Sequence, residues 1–351
     1  MTTDQPSADQ PSADQPSADQ PSADPAAAAS RPAPGAGEGA VVHADRLTVA
    51  YGTFTAVRDV SFRIRPGEVF GLIGPNGAGK TSVVEAVGGL RPVRSGRVTV
   101  FGHDPRRDRD AVTRLLGMQL QESQFPSRAR VGELCDLYEA IYRAPGAAAA
   151  LLEAFGLAGR RRSRIADLSG GMRQRLAVAL AQIGDVRLVV LDELTTGLDP
   201  HQRRETWRSV LDLAARGIAV LLTSHAMDEV EALCGRVGVL RAGELVALDT
   251  PAKLTEAHAG PSTFLVDLGD PGRGTGRPAG IEEQLGGLGL TRLPGAPDRP
   301  EFAGSYPADY DRIVRLVARA GLPASAVSRR TPGFEDAYLR LVGATVTKEG
   351  A

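Results

Sequence analysis

The residue types and spacing most typical of a chemical site occur in one short stretch: Gly74, Pro75, Asn76, Gly77, Ala78, Gly79, Lys80 and Thr81. The stretch fits the pattern G-x-x-x-x-G-K-[ST] and lies between an apolar strand-like run and a helical segment. Glycines let backbone N–H groups turn toward phosphate oxygens, and the start of a helix adds its positive dipole. We therefore expect Lys80 to contact the β- and γ-phosphates of a nucleotide and Thr81 to bind Mg²⁺, with Ser82 also at the site.

A pair of carboxylates, Asp192 and Glu193, follows the short apolar run 188–191. Open α/β sheets bind their ligands at the carboxyl ends of strands, which is where this pair is predicted to lie. Asp192 suits a Mg²⁺ ligand, directly or through water, and Glu193 is placed to orient or deprotonate an attacking water. A solvated pair of loop acids is the alternative, and the phosphate loop makes it less favoured.

A second helix start is predicted at Leu168, Ser169, Gly170, Gly171, Met172, Arg173, Gln174 and Arg175. Ser169 is a good N-cap, and the following helix has an apolar stripe at Met172, Leu176 and Leu180. Such a start is a second anion-binding feature in a chain with one phosphate loop. From the residues alone, a plain capped helix remains an equal interpretation.

The elements that must position these residues are those of an α/β domain. Residues 188–191 and 218–223 are short and wholly or largely apolar, as in parallel strands covered on both faces. Helical stretches separate the strands, at 131–142, 170–183 and 200–215. Alternation of strands and helices predicts an α/β domain with a mostly parallel sheet, and alternating early strands at 47–49 and 60–64 predict an antiparallel edge. Residues 236–240 and 244–249 are predicted to form a hairpin.

The chain divides by composition into three parts. Residues 4–23 are four copies of Asp-Gln-Pro-Ser-Ala, and we expect residues 1–40 to be disordered because this composition buries too little apolar surface. Residues 41–250 are predicted to form one domain. Residues 255–345 are predicted to form a small α+β unit, with a strand near 263–268 and helices near 310–320 and 334–342.

Overall composition narrows the functional classes. The formal net charge is −1 and the arginine clusters at 106–109 and 160–164 are balanced by acids elsewhere, so we expect solvated faces and no nucleic acid partner. The two cysteines, Cys135 and Cys234, lack metal-ligand spacing and are predicted to be buried thiols of a reducing cytosol. No apolar run is long enough to span a bilayer. A membrane role would therefore need another protein.

The stretch from Leu168 to Arg175 resembles the signature motif of ATP-binding cassette (ABC) proteins. In that family the loop covers the γ-phosphate of ATP held by the other subunit of a dimer. The resemblance implies that Leu168, Ser169, Gly170, Gly171 and Gln174 lie at an interface with a second copy of the chain or a related cassette. It implies that residues 41–250 form a P-loop NTPase cassette with a helical subdomain, and it implies ATP and Mg²⁺ as cofactors.

Four further positions match the family's motifs. Tyr51 matches the aromatic residue that stacks on adenine, although a core strand tyrosine is also possible. Gln121 matches the glutamine that contacts Mg²⁺ and water and communicates with the membrane partner, with Gln119 a weaker candidate. Asp199 matches the loop that crosses the dimer interface, and read from the residues alone it is an N-cap before a proline. His225 matches the switch histidine that bonds the γ-phosphate.

The chain departs from the family at Leu194, where proline is common after the catalytic glutamate. Leucine leaves the backbone freer than proline would. The departure bears on the rate of hydrolysis rather than on binding.

Residues 227–234 and 334–341 are similar to ATPases of the daunorubicin-resistance, ABC-2 type exporter group. This resemblance implies a separate integral membrane permease, a peripheral location on the cytoplasmic face of the membrane, and export of a drug-like or lipid-like molecule, with antibiotic resistance as one outcome. An importer subunit and a soluble non-transport cassette are the alternatives. The single phosphate loop and the lack of sustained heptads argue against ribosomal and DNA-repair cassettes.

The repeat segment gives a first prediction. Deleting residues 1–40 should leave the ATPase rate and the melting temperature of the protein nearly unchanged, because a proline in every repeat prevents stable packing. Steady-state hydrolysis and thermal unfolding of the full and shortened chains provide the measurement. A large loss in either quantity would mean that the segment packs on the rest of the protein.

Overall fold

The computed structural model describes residues 39–119, 125–195, 198–268, 280–293 and 299–343. The segment expected to be disordered, 1–40, lies almost wholly outside the described residues. Gln121 also lies outside them, so its predicted contact with Mg²⁺ stays a prediction.

The described strands and helices follow the alternation predicted from the sequence. The strands are β1 (Val42–Tyr51), β2 (Phe54–Ile64), β3 (Val69–Ile73), β4 (Ser95–Val100), β5 (Leu116–Gln119), β6 (Leu188–Asp192), β7 (Ala219–Ser224), β8 (Arg236–Arg241), β9 (Glu244–Asp249), β10 (Ser262–Val266), β11 (Thr291–Leu293), β12 (Glu301–Gly304) and β13 (Val327–Arg330). The α-helices are α1 (Lys80–Val87), α2 (Arg109–Thr113), α3 (Val131–Tyr142), α4 (Ala147–Ala154), α5 (Gly170–Leu180), α6 (Pro200–Ala215), α7 (Met227–Leu233), α8 (Pro251–His258), α9 (Ile281–Gly286), α10 (Ala308–Arg319) and α11 (Phe334–Val342).

The largest sheet has the strand order β5-β6-β7-β3-β8-β9, parallel except for β9. Every residue of β3, β6 and β7 is buried, because apolar clusters cover both faces of the sheet. Alternate residues of one strand face opposite clusters: Ile73 lies in one and Leu72 in the other. This confirms the predicted α/β fold with a mostly parallel sheet.

The early alternating strands form a separate antiparallel sheet of order β2-β1-β4. It shares an apolar cluster with α1 and with one face of the large sheet. The antiparallel edge of the large sheet is instead β9, the second strand of the predicted hairpin. The sequence patterns identified the antiparallel strands, and strand pairing distributes them over two sheets.

The C-terminal region has a four-stranded antiparallel sheet of order β11-β12-β10-β13. It has its own apolar cluster, which includes Phe264, Ile313 and Val317. Helix α11 packs elsewhere: Phe334 is fully buried in the cluster of the large sheet, and Arg241 Nη1 of β8 donates to the Leu341 carbonyl at 3.0 Å. Helix α11, which the sequence analysis assigned to residues 255–345, thus packs against the large sheet of residues 41–250. The boundaries 41–250 and 255–345 themselves stay a proposal.

No helix among the described residues is long and apolar enough to cross a membrane.

Both cysteines are buried, as predicted, and neither forms a disulfide. Burial raises the pKa of the Cys135 thiol to about 11, so the thiol stays protonated and unreactive near neutral pH.

The packing of α11 gives a second prediction. Phe334→Ala should lower the free energy of unfolding by about 3 kcal/mol or more, because it leaves a cavity in a closed apolar cluster. Urea denaturation followed by circular dichroism measures this change. The control is Phe54→Ala, where the side chain is 65% exposed and the loss should be small. Equal losses from the two substitutions would contradict the packing of α11 in the core.

Candidate nucleotide-binding site

The predicted phosphate loop and the two predicted acids meet at one edge of the large sheet. Ile73, the last residue of β3, pairs with Ser224 at the end of β7. Asp192, the last residue of β6, pairs with Thr223 of β7. The three strands are parallel, so the segments that follow them all begin at the same carboxyl edge, where α/β sheets bind ligands.

The loop has room only for glycine at two positions. Gly79 has a φ of 101°, and a Cβ there would lie 2.6 Å from the Ala56 carbonyl oxygen. A Cβ at Gly74 would lie 2.4 Å from the Leu240 carbonyl oxygen. The loop is therefore pressed against β2 and the end of β8.

The β8–β9 turn also braces the loop. Gly243 N–H donates to the Ala78 carbonyl at 3.2 Å, and Arg58 N–H donates to the Gly243 carbonyl at 2.8 Å. The turn thus links the loop to β2 through backbone hydrogen bonds.

Lys80 begins α1 and its ammonium is enclosed by the loop. Nζ donates to the carbonyl oxygens of Gly74 at 2.7 Å and Pro75 at 3.2 Å. Burial lowers the pKa of Lys80, while the nearby Glu193 and Asp192 carboxylates oppose that shift. A cation thus lies within a glycine loop and in the field of the two acids, as the motif predicted.

The carboxylates are held by β7. Asp192 is buried and accepts a hydrogen bond from the Thr223 hydroxyl. Glu193 N–H donates to the Thr223 carbonyl at 3.1 Å and lies 3.2 Å from its hydroxyl oxygen. Glu193 has a φ of 54°, a left-handed conformation that is uncommon outside glycine. This conformation turns the chain at the end of the strand.

His225 lies beside Glu193, as the family pattern implies. Its Nδ1 is 3.7 Å from Glu193 Oε1, and the histidine side chain is 57% exposed against 14% for the glutamate. An exposed imidazole next to a sheltered carboxylate can contact a ligand that enters from solvent. The residue after the glutamate, Leu194, is fully buried in the apolar cluster, so packing anchors the chain where the family commonly has proline.

Tyr51 lies near the start of α1 rather than in the core. Its hydroxyl lies 3.1 Å from Ser82 Oγ and donates to Glu85 Oε2 at 3.1 Å. The Arg91 guanidinium lies 4.4 Å from the centre of the ring and lowers the pKa of Glu85 by hydrogen bonding. This arrangement joins Tyr51 to the predicted site residue Ser82. Stacking of the Tyr51 ring on adenine stays a prediction, and it would involve the part of the ring that Arg91 does not cover.

The signature stretch leads into α5 and is exposed only in part: Ser169 and Gly170 are exposed, whereas Leu168 and Gly171 are buried. Ser169 is exposed and its Oγ accepts from Met172 N–H at 3.2 Å, which confirms the predicted N-cap of α5. Asp199 caps α6 by accepting from two backbone N–H groups, both at 2.9 Å. Gly171 lets the helices approach closely, because a Cβ there would lie 2.4 Å from Gln202 Oε1.

Several residues that hold this site were missed by sequence reasoning. Glu229 is buried and accepts hydrogen bonds from Ser224 and Trp207. Thr223 holds both predicted acids. The only sequence signal for Glu229 was an acidic residue beside the apolar positions of α7. Gln119 was not missed: this weaker candidate for the family's glutamine ends β5 beside Leu191 of β6 and is buried.

The arrangement fits a nucleoside triphosphate with a hard divalent cation. The glycine loop, the helix start and the enclosed ammonium form a cradle for phosphate oxygens. The side-chain oxygens of Thr81 and Asp192 are of the kind that Mg²⁺ prefers. Within the described part of the chain no cluster of three or more His, Cys, Asp or Glu side chains could hold a metal.

Comparison with known proteins agrees with this geometry. The family described as ABC transporter matches residues 57–196. The Nod factor export ATP-binding protein I of Rhizobium etli is 34% identical over 312 residues, which cover 86% of this chain and 93% of that protein. The protein of the same name from Rhizobium johnstonii is 36% identical over 315 residues, covering 86% and 94%.

A solved ATP-binding subunit of an ABC transporter superposes with a TM-score of 0.57 and is 25% identical, covering 62% of this chain and 92% of that structure. The phosphate loop, the paired acids and the signature helix thus occur in a chain whose similarity to the relatives extends well beyond these motifs. The chain therefore belongs to the ABC transporter family, as an ATP-binding and ATP-hydrolysing protein of the exporter type.

Proposed function

We propose that this ATPase works as a cassette dimer and drives export of a drug-like or lipid-like molecule through a separate membrane permease. Each ATP would lie between the phosphate loop of one subunit and the signature loop of the other. The second subunit is another copy of this chain or a related cassette. Two observations support the proposal: Ser169 and Asp199, the N-caps of α5 and α6, are both exposed, and these two helices pack against each other.

Helices α5 and α6 meet in their first turns. Arg175 Nη1 of α5 lies 3.1 Å from Glu205 Oε2 of α6, and Gly171 of α5 lies against the Gln202 side chain of α6. The two helix starts are therefore neighbours and form one surface. Leu168 is buried behind them, while Ser169 and Gly170 are exposed and free to meet another molecule. A helix start stabilises a nearby anion, so the γ-phosphate of a partner subunit's ATP fits this surface.

The residues at the carboxyl edge of the large sheet would each have a different role in ATP hydrolysis. Lys80 binds the β- and γ-phosphates, and the backbone from Gly74 to Gly79 surrounds them. Thr81 and Asp192 would hold Mg²⁺, together with Gln121. When bound, Mg²⁺ offsets the negative charge that develops on the phosphate oxygens. Glu193 accepts a proton from the attacking water or orients it, and His225 hydrogen-bonds the γ-phosphate.

The relatives support the direction of transport, because their names describe export of Nod factor. The cargo of this chain is a proposal, and a lipid-like or drug-like molecule is consistent with the exporter group that its sequence resembles. A peripheral position at the cytoplasmic face of the membrane follows from partnership with a permease. An importer subunit would use the same ATP site and differ in its permease.

Glu193→Gln should reduce ATP turnover by about 100-fold or more, because the amide cannot accept the proton of the attacking water. ATP affinity should stay nearly unchanged, since the phosphates are held by the loop and Lys80, and the variant should accumulate as an ATP-bound dimer. Steady-state hydrolysis, fluorescent-nucleotide binding and size-exclusion chromatography measure the three quantities. Glu153→Gln, an exposed position on α4, is the matched control. Near-normal hydrolysis by Glu193→Gln would remove this residue from the proposed role.

The shared site predicts an ATP-dependent crosslink between two chains. A disulfide should form between Ser169→Cys in one chain and Asn76→Cys in the other, and only with ATP bound, because both positions are exposed and would meet across the dimer. The native cysteines are buried and contribute little background. Gel electrophoresis of mixed single-cysteine variants identifies the product.

Ser305→Cys, exposed in the C-terminal region, replaces Ser169→Cys in the control and should give no ATP-dependent product. A chain carrying both site cysteines that gave an exclusively intrachain bond would exclude the shared site.

A further inference from the structure

We infer that Glu229 is a positioning residue that connects helix α6, which starts at the interface residue Asp199, to the loop that carries His225. The inference rests on the proposed role of His225 and extends it. It concerns a buried bridge of three side chains: Trp207 on α6, Glu229 on α7 and Ser224 at the end of β7.

The bridge has a complete set of contacts. Glu229 is 1% exposed, and its two oxygens accept from different donors. Ser224 Oγ donates to Oε2 at 2.6 Å, and Trp207 Nε1 donates to Oε1 at 3.2 Å. Both oxygens of the Glu229 carboxylate therefore accept a hydrogen bond from the protein, and solvent has almost no access to the group.

These bonds fix the backbone on both sides of His225. Ser224, the residue before it, donates to Glu229. Its oxygen also accepts from the backbone N–H of Ala226, the residue after it, at 3.0 Å. The imidazole itself is 57% exposed and has little packing of its own. Its distance from Glu193 thus depends on the loop that Glu229 holds.

The other end of the bridge lies on the helix of the proposed dimer surface. Trp207 is on α6, whose N-cap is Asp199 and whose first turn contacts Gly171 of the signature loop. A shift of α6 when two subunits meet would pull on the indole and, through Glu229, on Ser224. The bridge can therefore transmit subunit contact to the residue that senses the γ-phosphate within the same chain.

The Glu229 carboxylate accepts from both donors and makes them charge-assisted bonds, whereas glutamine is neutral and has a single acceptor oxygen. In Glu229→Gln that oxygen can accept from the indole N–H, and the NH₂ group then faces Ser224 Oγ, which must accept instead of donate. Glu229→Gln should therefore reverse and weaken the bond to Ser224 while preserving the size of the side chain. Trp207→Phe removes only the indole N–H and keeps most of the aromatic packing.

The full-length variants Glu229→Gln and Trp207→Phe should each lower kcat by about 10-fold with little change in the KM for ATP, because a catalytic group displaced by about 1 Å loses much of its effect. Asp228→Asn is the matched control. Asp228 joins the same two helices through its exposed ion pair with Arg203 and has no bond to Ser224, so kcat should stay near wild type.

A double variant separates positioning from general loosening. If Glu229 acts through His225, then Glu229→Gln combined with His225→Ala should be no slower than His225→Ala alone, as single-turnover hydrolysis measures. A further multiplicative loss would overturn the inference, and so would wild-type kcat in both Glu229→Gln and Trp207→Phe. Near-normal hydrolysis by His225→Ala alone would instead refute the proposed role of His225.

Fluorescence gives a readout that does not depend on turnover. Trp207 is the only tryptophan of the chain, so its emission reports the indole bond directly. Glu229→Ala, which removes both acceptor oxygens, should shift the emission of the nucleotide-free protein, and Asp228→Asn should not. Identical emission from Glu229→Ala and the wild type would show that the bond is absent in solution. If the Glu229 variants fail to fold, the kcat and melting temperature of Trp207→Phe decide the question.

Discussion

The site depends on the hydrogen bonds between the Lys80 ammonium and the phosphate loop. The ammonium donates to the carbonyls of Gly74 and Pro75, which holds the loop around a positive charge. Burial lowers the pKa of Lys80, while the carboxylates of Glu193 and Asp192 favour the charged form. A cation held in this way needs anions close by, and the two carboxylates supply them before any ligand binds. In the proposed function, phosphate oxygens become partners of the same ammonium. The paired acids have to end their strand beside this loop, which the parallel order of β6, β7 and β3 achieves.

Near this charge, His225 is exposed and Glu193 is partly sheltered, while Thr223 and Glu229, which bond the backbone or side chains beside them, are buried. Glu193 has a left-handed conformation, which for a residue other than glycine costs about 1–3 kcal/mol. Thr223 offsets that cost by bonding the backbone of Glu193 and the carboxylate of Asp192. Glu229 accepts a hydrogen bond from Ser224, the residue before His225. Buried polar groups that are fully bonded make such positions rigid.

Much of this arrangement follows from local sequence patterns. The phosphate loop, the acids at the end of an apolar strand and the Ser169 cap depend on residues close together in the chain, and the structure has each where the pattern placed it. Sheet order and the packing of α11 depend on distant segments, which periodicity does not specify. Local patterns also did not predict the bonds of Glu229 or the Arg91–Tyr51 contact, because each joins side chains from different elements.

The position of β3 in the sheet also determines when the site can form during synthesis. This strand leads into the phosphate loop, yet its two neighbours are β7 and β8, which come far later in the chain. The turn that braces the loop, at Gly243, follows β8. A domain emerging from the ribosome folds as its partners appear, so β3 must wait unpaired and apolar until those strands are made. The nascent chain can therefore bind nucleotide only late in its synthesis. Most of the polypeptide is exposed to chaperones before the site can bind ATP.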